Sequence, residues 1–449
     1  MRGDDSHHIT PGGPCREAEL SVESLADGGD GVAHFQGRTV FVPLTLPGEV
    51  VRASVPEWRA GVTAALVEVV RPSSERRPAA CPLYGECGGC QWLHASEDVQ
   101  RSWKTGRVRR VFSQTMGETC PEIPPVEEVP PVLGYRRRTV LHAADGILGF
   151  SARRSHRVTE PGGCLLLEEP LRLAVREMAA AVKSGMQLPR GCADVSLAGD
   201  GSRTAAAFHF ERRPPADALA RLTALTRHTG IAGAVICVGG AAVGTIGKPL
   251  LRWPAPGVPG ASLLGRPDLF AQAHLRAGEL LAGIAAEAIP EGDRVLELFG
   301  GSGTLTLAAS RRAASVTSVE ICSPALTLAR KAADEAGITN VRFQAGDSLR
   351  TAGHLAAGGE RFGTVLLDPP RAGAKGIAQA ALAVGARRVV YVSCNPATLA
   401  LDAAALRRTG FELTSIRCLD LFPQTAHLEA AAVFQRGESG SSDGALHDR

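Results

Sequence analysis

The side chains able to do chemistry lie in a few short stretches of this 449-residue chain. In "VSCNPATLA" (392–400) an apolar run ends on Cys394. A lone cysteine ordinarily behaves as a small buried hydrophobe. A thiol at the carboxyl end of a strand, before a helix N-terminus that can lower its pKa, is instead a candidate nucleophile. Asp368 opens "DPPRAG" at the end of another apolar run. "LELFGGSGTLTL" (296–307) puts Gly300, Gly301 and Gly303 after a strand, and Glu320 follows about twenty residues later. A carboxylate there can accept bonds from both hydroxyls of a ribose. Thr306 stands where a dinucleotide fingerprint has its third glycine. S-adenosylmethionine, with a ribose and no phosphate, therefore fits better than NAD, and Asp347 in "AGDS" is placed to meet an adenine amino group. Far upstream, "CPLYGECGGCQW" (81–92) groups Cys81, Cys87 and Cys90. In a reducing compartment such a group points to metal or catalysis rather than disulfides.

Positioning these residues requires strands that end together. From residue 276 onward, apolar strand runs alternate with helices, the pattern of a parallel sheet covered on both faces. Two closing strands, "FELTSIRCLDLF" and "EAAAVFQR", have no helix between them and predict an antiparallel hairpin at the sheet edge. Residues 17–72 read as short strands punctuated by Gly and Pro, a small antiparallel barrel. Residues 75–262 form a central α+β region with helices near 170–184 and 216–228; its second half carries no legible chemistry. Apolar positions Val99, Trp103, Val108, Val111 and Phe112 predict an amphipathic helix with a basic opposite face. The polar ends, 1–16 and 438–449, read as disordered tails, and residues 263–437 form the last domain.

Composition sets the class. The chain is 44% hydrophobic and 21% charged, as in a soluble globular protein, with no run of apolar residues that could span a bilayer. The N-terminus lacks the apolar segment of a secretory signal, so a cytoplasmic protein is expected. A net charge of +3 is too small to imply nucleic acid by itself. Its distribution says more: 101–110 holds five basic residues and no acid, and 135–157 holds six arginines against one acid. Each run reads either as RNA contact or as a solvated face.

Taken together, "LELFGGSGTLTL", "DPPRAG", "VSCNPATLA" and "FPQTAHLE" resemble the RNA (uracil-5-)methyltransferase family. The stretch "GVAHFQGRTVFVPLTLPGEVV" resembles the RNA-binding TRAM barrel that precedes its catalytic domain. The resemblance covers nearly the whole chain except the tails and about 170–260. It implies an OB-like barrel, a central domain, and a class I, Rossmann-like α/β methyltransferase domain on which the helix at 93–124 packs back. It makes Cys394 the nucleophile that adds to uracil C6 and Glu429, in "HLE", the general base that removes the C5 proton. Gln272, Phe299, Gly301, Gly303, Thr304, Glu320, Asp347 and Asp368 are implied around the cofactor, with Asp368 also orienting the uracil edge.

Four thiolates without histidine suit zinc or iron-sulfur. The resemblance decides for iron-sulfur: Cys81, Cys87, Cys90 and Cys164 match the 4Fe-4S pattern of the family's ribosomal-RNA branch. Arg136, Arg137 and Arg138 in "GYRRR" are implied as a positive platform for an extruded RNA loop. Two positions depart from the family, His274 and Thr304, where asparagine is frequent. Arg371 stands where amino-methyltransferases carry a base-stacking aromatic, which disfavours that chemistry. The expectation is a monomeric enzyme making 5-methyluridine in 23S ribosomal RNA. The alternatives are the transfer-RNA T loop and a non-catalytic RNA-binding protein.

Overall fold

The computed structural model describes residues 15–56 and 61–437. Its C-terminal sheet has eight strands, ordered 341–345, 315–320, 294–298, 364–367, 388–393, 429–436, 411–420 and 127–128. The first five run parallel. In Arg294–Leu298, Leu296 and Leu298 enter the core on one face, and Val295 enters the core on the other. Alternate side chains of a strand point to opposite faces, so a strand covered on both is apolar on both, with Glu297 as the exception, bonded to Thr306 Oγ1. The expected hairpin is present: Glu429–Arg436 pairs antiparallel with both Arg388–Ser393 and Phe411–Asp420. It does not form the edge. Glu127–Glu128, inside a stretch that reads as a Pro-rich linker, adds a short parallel strand beyond it.

Residues 15–56 and 61–71 form two small sheets, of three and four strands, around a shared apolar core that includes Val42, Val51 and Ala53. The middle of the chain is a seven-stranded sheet, from Val158–Thr159 at one edge to Ala241–Gly247 at the other. Helices Glu169–Lys183 and Ala218–His228 pack on it. Of the expected disordered tails, 1–14 and 438–449 lie outside the described residues, whereas Cys15 and Arg16 open a strand. No helix among the described residues is long and apolar enough to cross a membrane.

Helix Glu97–Met116 joins these parts and departs from its amphipathic reading. Val108 and Phe112 enter the C-terminal core, but Gln100, Lys104 and Thr105 are buried beside them, while Val99, Trp103 and Val111 are only half-buried. The buried polar groups are all matched. Lys104 Nζ lies 2.6 Å from Asp420 and 3.0 Å from the Phe422 carbonyl. A buried ammonium is tolerable only with such a partner.

The other basic residues of the two runs are largely engaged within the fold. Arg107 and Arg110 face Asp27 at 3.5 and 2.7 Å, and Arg101 faces Glu128 at 3.3 Å. Arg109 bonds the Ile123 carbonyl, Arg153 and Arg154 both grip buried Asp30, and Arg157 meets Glu86 at 3.0 Å. These charges clamp barrel, central sheet and C-terminal sheet together.

Candidate active site

The carboxyl ends of the parallel strands open into a cavity of about 1110 Å³. At the first strand's end Phe299 sits at φ +62°, a left-handed conformation that branched or bulky residues rarely hold, and its N–H donates to Ser348 Oγ at 3.0 Å. Gly300 is required by space: a Cβ there would lie 2.2 Å from Ser318 Oγ. The turn then presents the Gly301 N–H to Glu320 Oε2 at 2.9 Å, while Cys322 N–H donates to Oε1 at 2.6 Å. Two backbone donors thus fix the acid whose distance in sequence suggested a ribose partner. Asp347 lines the same cavity and caps helix Ser348–Ala357 through the Arg350 N–H at 2.9 Å. Thr304 also lines it. Gly303 does not; at φ +92° it starts helix Thr304–Ala309, where a Cβ would come within 3.1 Å of Ala329. Its role is to let that helix pack closely.

Asp368, Cys394 and Glu429 come from three neighbouring strand ends and line this cavity together. Gln272 Nε2 donates to Asp368 Oδ2 at 3.1 Å. Burial pushes the Asp368 carboxyl up to about 7. Burial, reinforced by the negative charge of Asp368, holds the Glu429 carboxyl well above the ordinary range. Two acids in one apolar pocket resist ionising together. The expected acidification of Cys394 is not found. Burial raises its thiol pKa, with the charges of Glu429 and Asp368 adding to the effect. Arg371 opposes both shifts, lowering the thiol and the Glu429 carboxyl. The helix that follows is capped by Asn395, whose side chain takes the Ala397 N–H, so the dipole is partly used before it reaches the thiol. The arrangement brings a thiol, two carboxyls and the Arg371 guanidinium together in a cavity whose lining includes Pro369, Pro370 and Phe422.

Cys81, Cys87, Cys90 and Cys164 line the same cavity, and among the described residues no histidine does. Burial and the neighbouring thiols together raise the pKa of Cys87, of Cys90 to about 12, and of Cys164. No three His, Cys, Asp or Glu side chains among the described residues are close enough to hold one metal ion. Of the three consecutive arginines, Arg136 and Arg138 line the cavity. Arg138 bonds the Ala271 carbonyl at 3.0 Å and lies 5.7 Å from the Phe270 ring centre. Arg137 turns instead to the Leu275 carbonyl and the face of Trp253, beside a smaller cavity of about 230 Å³. It gives no free positive platform. His274 lies outside the cavity, stacked on Tyr135 with ring centres 4.9 Å apart, and its Nδ1 accepts the Arg276 N–H at 3.1 Å.

Sequence reasoning missed two cavity residues. Glu297, fully buried within "VLELF", bonds Thr306 Oγ1, and burial pushes it up to about 7. An acid inside an apolar strand was the available signal. Arg371 was read only as a missing aromatic, yet it is the cation nearest in effect to both Cys394 and Glu429.

Residues 270–437 match the model of the tRNA (Uracil-5-)-methyltransferase family, and residues 15–64 match the TRAM domain. The chain is 35% identical to the 23S rRNA (uracil(1939)-C(5))-methyltransferase RlmD of Alkalilimnicola ehrlichii, over 94% of this chain and 97% of that one. It is 34% identical to the protein of the same name from Pseudomonas entomophila, over 94% of each. Its fold is similar to that of the Pyrococcus abyssi tRNA (uracil-54, C5)-methyltransferase in complex with S-adenosyl-L-homocysteine, with a TM-score of 0.72, 21% identity, and coverage of 92% and 99%.

Proposed function

The chain belongs to the RNA (uracil-5-)methyltransferase family and methylates uracil C5 in RNA using S-adenosylmethionine; on that premise we propose that Cys394 and Glu429 are its catalytic pair and that 23S ribosomal RNA is its substrate. The observation that carries the catalytic assignment is the convergence of Cys394, Asp368 and Glu429 in one cavity beside the glycine turn.

Cofactor binding falls to Gln272, Phe299, Gly301, Thr304, Glu320, Asp347 and Asp368, which line that cavity. S-adenosylmethionine supplies an electrophilic methyl group there. The Cys394 thiolate adds to uracil C6, and the electron pair of the C5–C6 bond makes C5 nucleophilic. C5 takes the methyl group as its bond to the sulfonium sulfur breaks and S-adenosyl-L-homocysteine is left; ionised Glu429 then takes the C5 proton, and the C5–C6 double bond re-forms as the thiolate leaves. A carboxyl held above its ordinary range is a stronger base once ionised, which suits this step. Asp368, protonated near neutrality, can donate to the uracil edge while Gln272 holds its other oxygen.

Cys81, Cys87, Cys90 and Cys164 would hold one 4Fe-4S cluster. A Zn–S bond is only about 2.3 Å, so ligands to a single ion must almost touch; a cluster spreads its thiolates over separate irons. Four thiols that line one cavity suit such a cluster. Such a group shapes the RNA-facing wall, and methylation needs no electron from it. The working enzyme is then a cytoplasmic monomer.

Mapping 5-methyluridine in ribosomal and transfer RNA, with and without the active protein, tests the substrate. Loss confined to 23S ribosomal RNA is expected; loss in the transfer-RNA T loop would overturn the assignment. Anaerobically purified protein should be brown, and stoichiometric zinc without iron or sulfide would reject the cluster.

A further inference from the structure

Gln424, in the loop that leads to Glu429, is completely buried, holds φ +69°, and touches neither cavity. All four of its polar atoms are bonded, and every partner belongs to residues 77–100. Its N–H donates to Gln100 Oε1 at 2.8 Å, and Gln100 Nε2 returns a bond to its Oε1 at 2.9 Å. Arg77 reaches the same Oε1 at 3.3 Å, and Gln424 Nε2 donates to Glu97 at 3.0 Å. Its carbonyl accepts from the N–H groups of Gln91 and Trp92, at 3.0 and 3.1 Å.

Those last two donors follow Cys90 directly in sequence. The cysteine loop also holds Gln91 from its other side, because Tyr84 Oη donates to the Gln91 carbonyl at 2.8 Å. At the far end, Glu429 stands five residues after Gln424, and its strand pairs with the one that ends next to Cys394. A loop carries little conformational preference of its own, so the position of Glu429 depends on what anchors the loop. Lys104, Tyr135 and Arg107 hold the Phe422, Pro423 and Ala426 carbonyls of this loop, and Gln424 is its fully bonded buried amide, an arrangement that favours a single geometry.

We propose that Gln424 is a positioning residue that ties the cysteine loop to the catalytic-base loop, so that the order of residues 81–92 governs proton removal by Glu429. This rests on the reading of Glu429 as base. It assigns the cysteine loop a part in the release step, separate from RNA binding and from addition of Cys394.

The test separates formation of the covalent enzyme-RNA adduct from its resolution. Gln424→Met preserves volume and removes the side-chain hydrogen bonds. With an unmodified 23S rRNA transcript, it should resolve the adduct at least tenfold more slowly than wild type, so that the adduct accumulates on a denaturing gel. Adduct formation with the 5-fluorouridine transcript should stay within threefold of wild type. Equal losses in both steps would indicate a merely structural residue and overturn the proposal, as would resolution at the wild-type rate. Glu429→Gln serves as the control: if it traps no adduct, the base assignment fails first, and if it traps adduct while Gln424→Met does not, only the coupling fails. Should Gln424→Met not fold, amide exchange in Cys90→Ser decides. Exchange at 425–429 should rise at least tenfold over wild type while that of the parallel strands is unchanged; unchanged exchange at 425–429 overturns the proposal.

Discussion

The glycine turn of the C-terminal sheet and the basic helix Glu97–Met116 offered equally suggestive sequences, and the structure treats them differently. Around the turn, the acids and the thiol stand where a strand–turn–helix reading puts them, at strand ends around one cavity. On the helix, charges that read either as RNA contact or as a solvated face are mostly tied to partners elsewhere in the chain, such as Asp27, Glu128 and Asp420. The turn residues are placed by local geometry, since alternation along a strand and its end fix where each side chain goes. The helix residues are placed by partners tens to hundreds of residues away, which no local pattern announces.

The largest expected effect breaks the site itself. Cys394→Ala should reduce methylation to background and abolish the covalent adduct, while S-adenosylmethionine binding measured by calorimetry stays within a few-fold. Lost cofactor binding would mean that the thiol is part of the cofactor site and not a separate nucleophile. Glu429→Gln should slow turnover by about 10²–10⁴-fold, the range of a general base, while adduct builds up. Equal loss of adduct and product would move Glu429 to an earlier step.

Legibility follows the same division. Cys394, Asp368 and Glu320 could be placed from sequence because each ends an apolar run. The acidified thiol expected at position 394 was wrong because the helix effect was weighed without burial or the two facing acids, all long-range terms. The short strand at Glu127–Glu128 was hidden because two residues carry no periodicity, and its pairing is held by Arg417, whose guanidinium meets Glu127 at 2.6 Å across 290 residues. Gly303 was read as a cofactor contact because the motif does not distinguish a glycine that approaches a ligand from one that approaches a helix.

The next effect measures the clamp. Lys104→Met leaves Asp420 buried without its cation, and removal of one partner of a buried pair costs about 3–5 kcal/mol. Chemical denaturation should show that loss, and the double change with Asp420→Leu should recover most of it. No loss in the single variant would mean that the helix does not depend on this pair.

A smaller effect returns to the site through pH. The folded pKa values of Asp368 and Glu297 are raised from 3.8 and 4.5 to about 7 each. A group whose folded pKa is raised contributes stability that is full below its unfolded pKa and is lost as pH rises through the folded one. Burial lowers His94, His274 and His427 to about 4, and these act in the opposite direction over the same interval, so the acid is read by difference. The thermal midpoint of the cofactor-free wild type minus that of Glu297→Gln should fall between about pH 4 and pH 7. A difference that stays flat or rises over this interval would show that Glu297 is not held neutral.

The smallest effect decides whether the basic runs reach RNA at all. A lysine or arginine on a phosphate contributes about one unit to the slope of log affinity against log salt. Arg110 faces Asp27, and Arg154 faces Asp30, so each is already partly neutralised across the barrel interface. Changing either to alanine should alter that slope by less than about half a unit, and should lower the melting midpoint by more than it weakens RNA binding. Arg136, which lines the cavity without an acidic partner among the ion pairs of the described residues, should behave in the opposite way. If Arg110→Ala removes a full unit of slope with no change in melting, the helix presents its charge to RNA after all, and the contrast between the two regions fails at its weaker side.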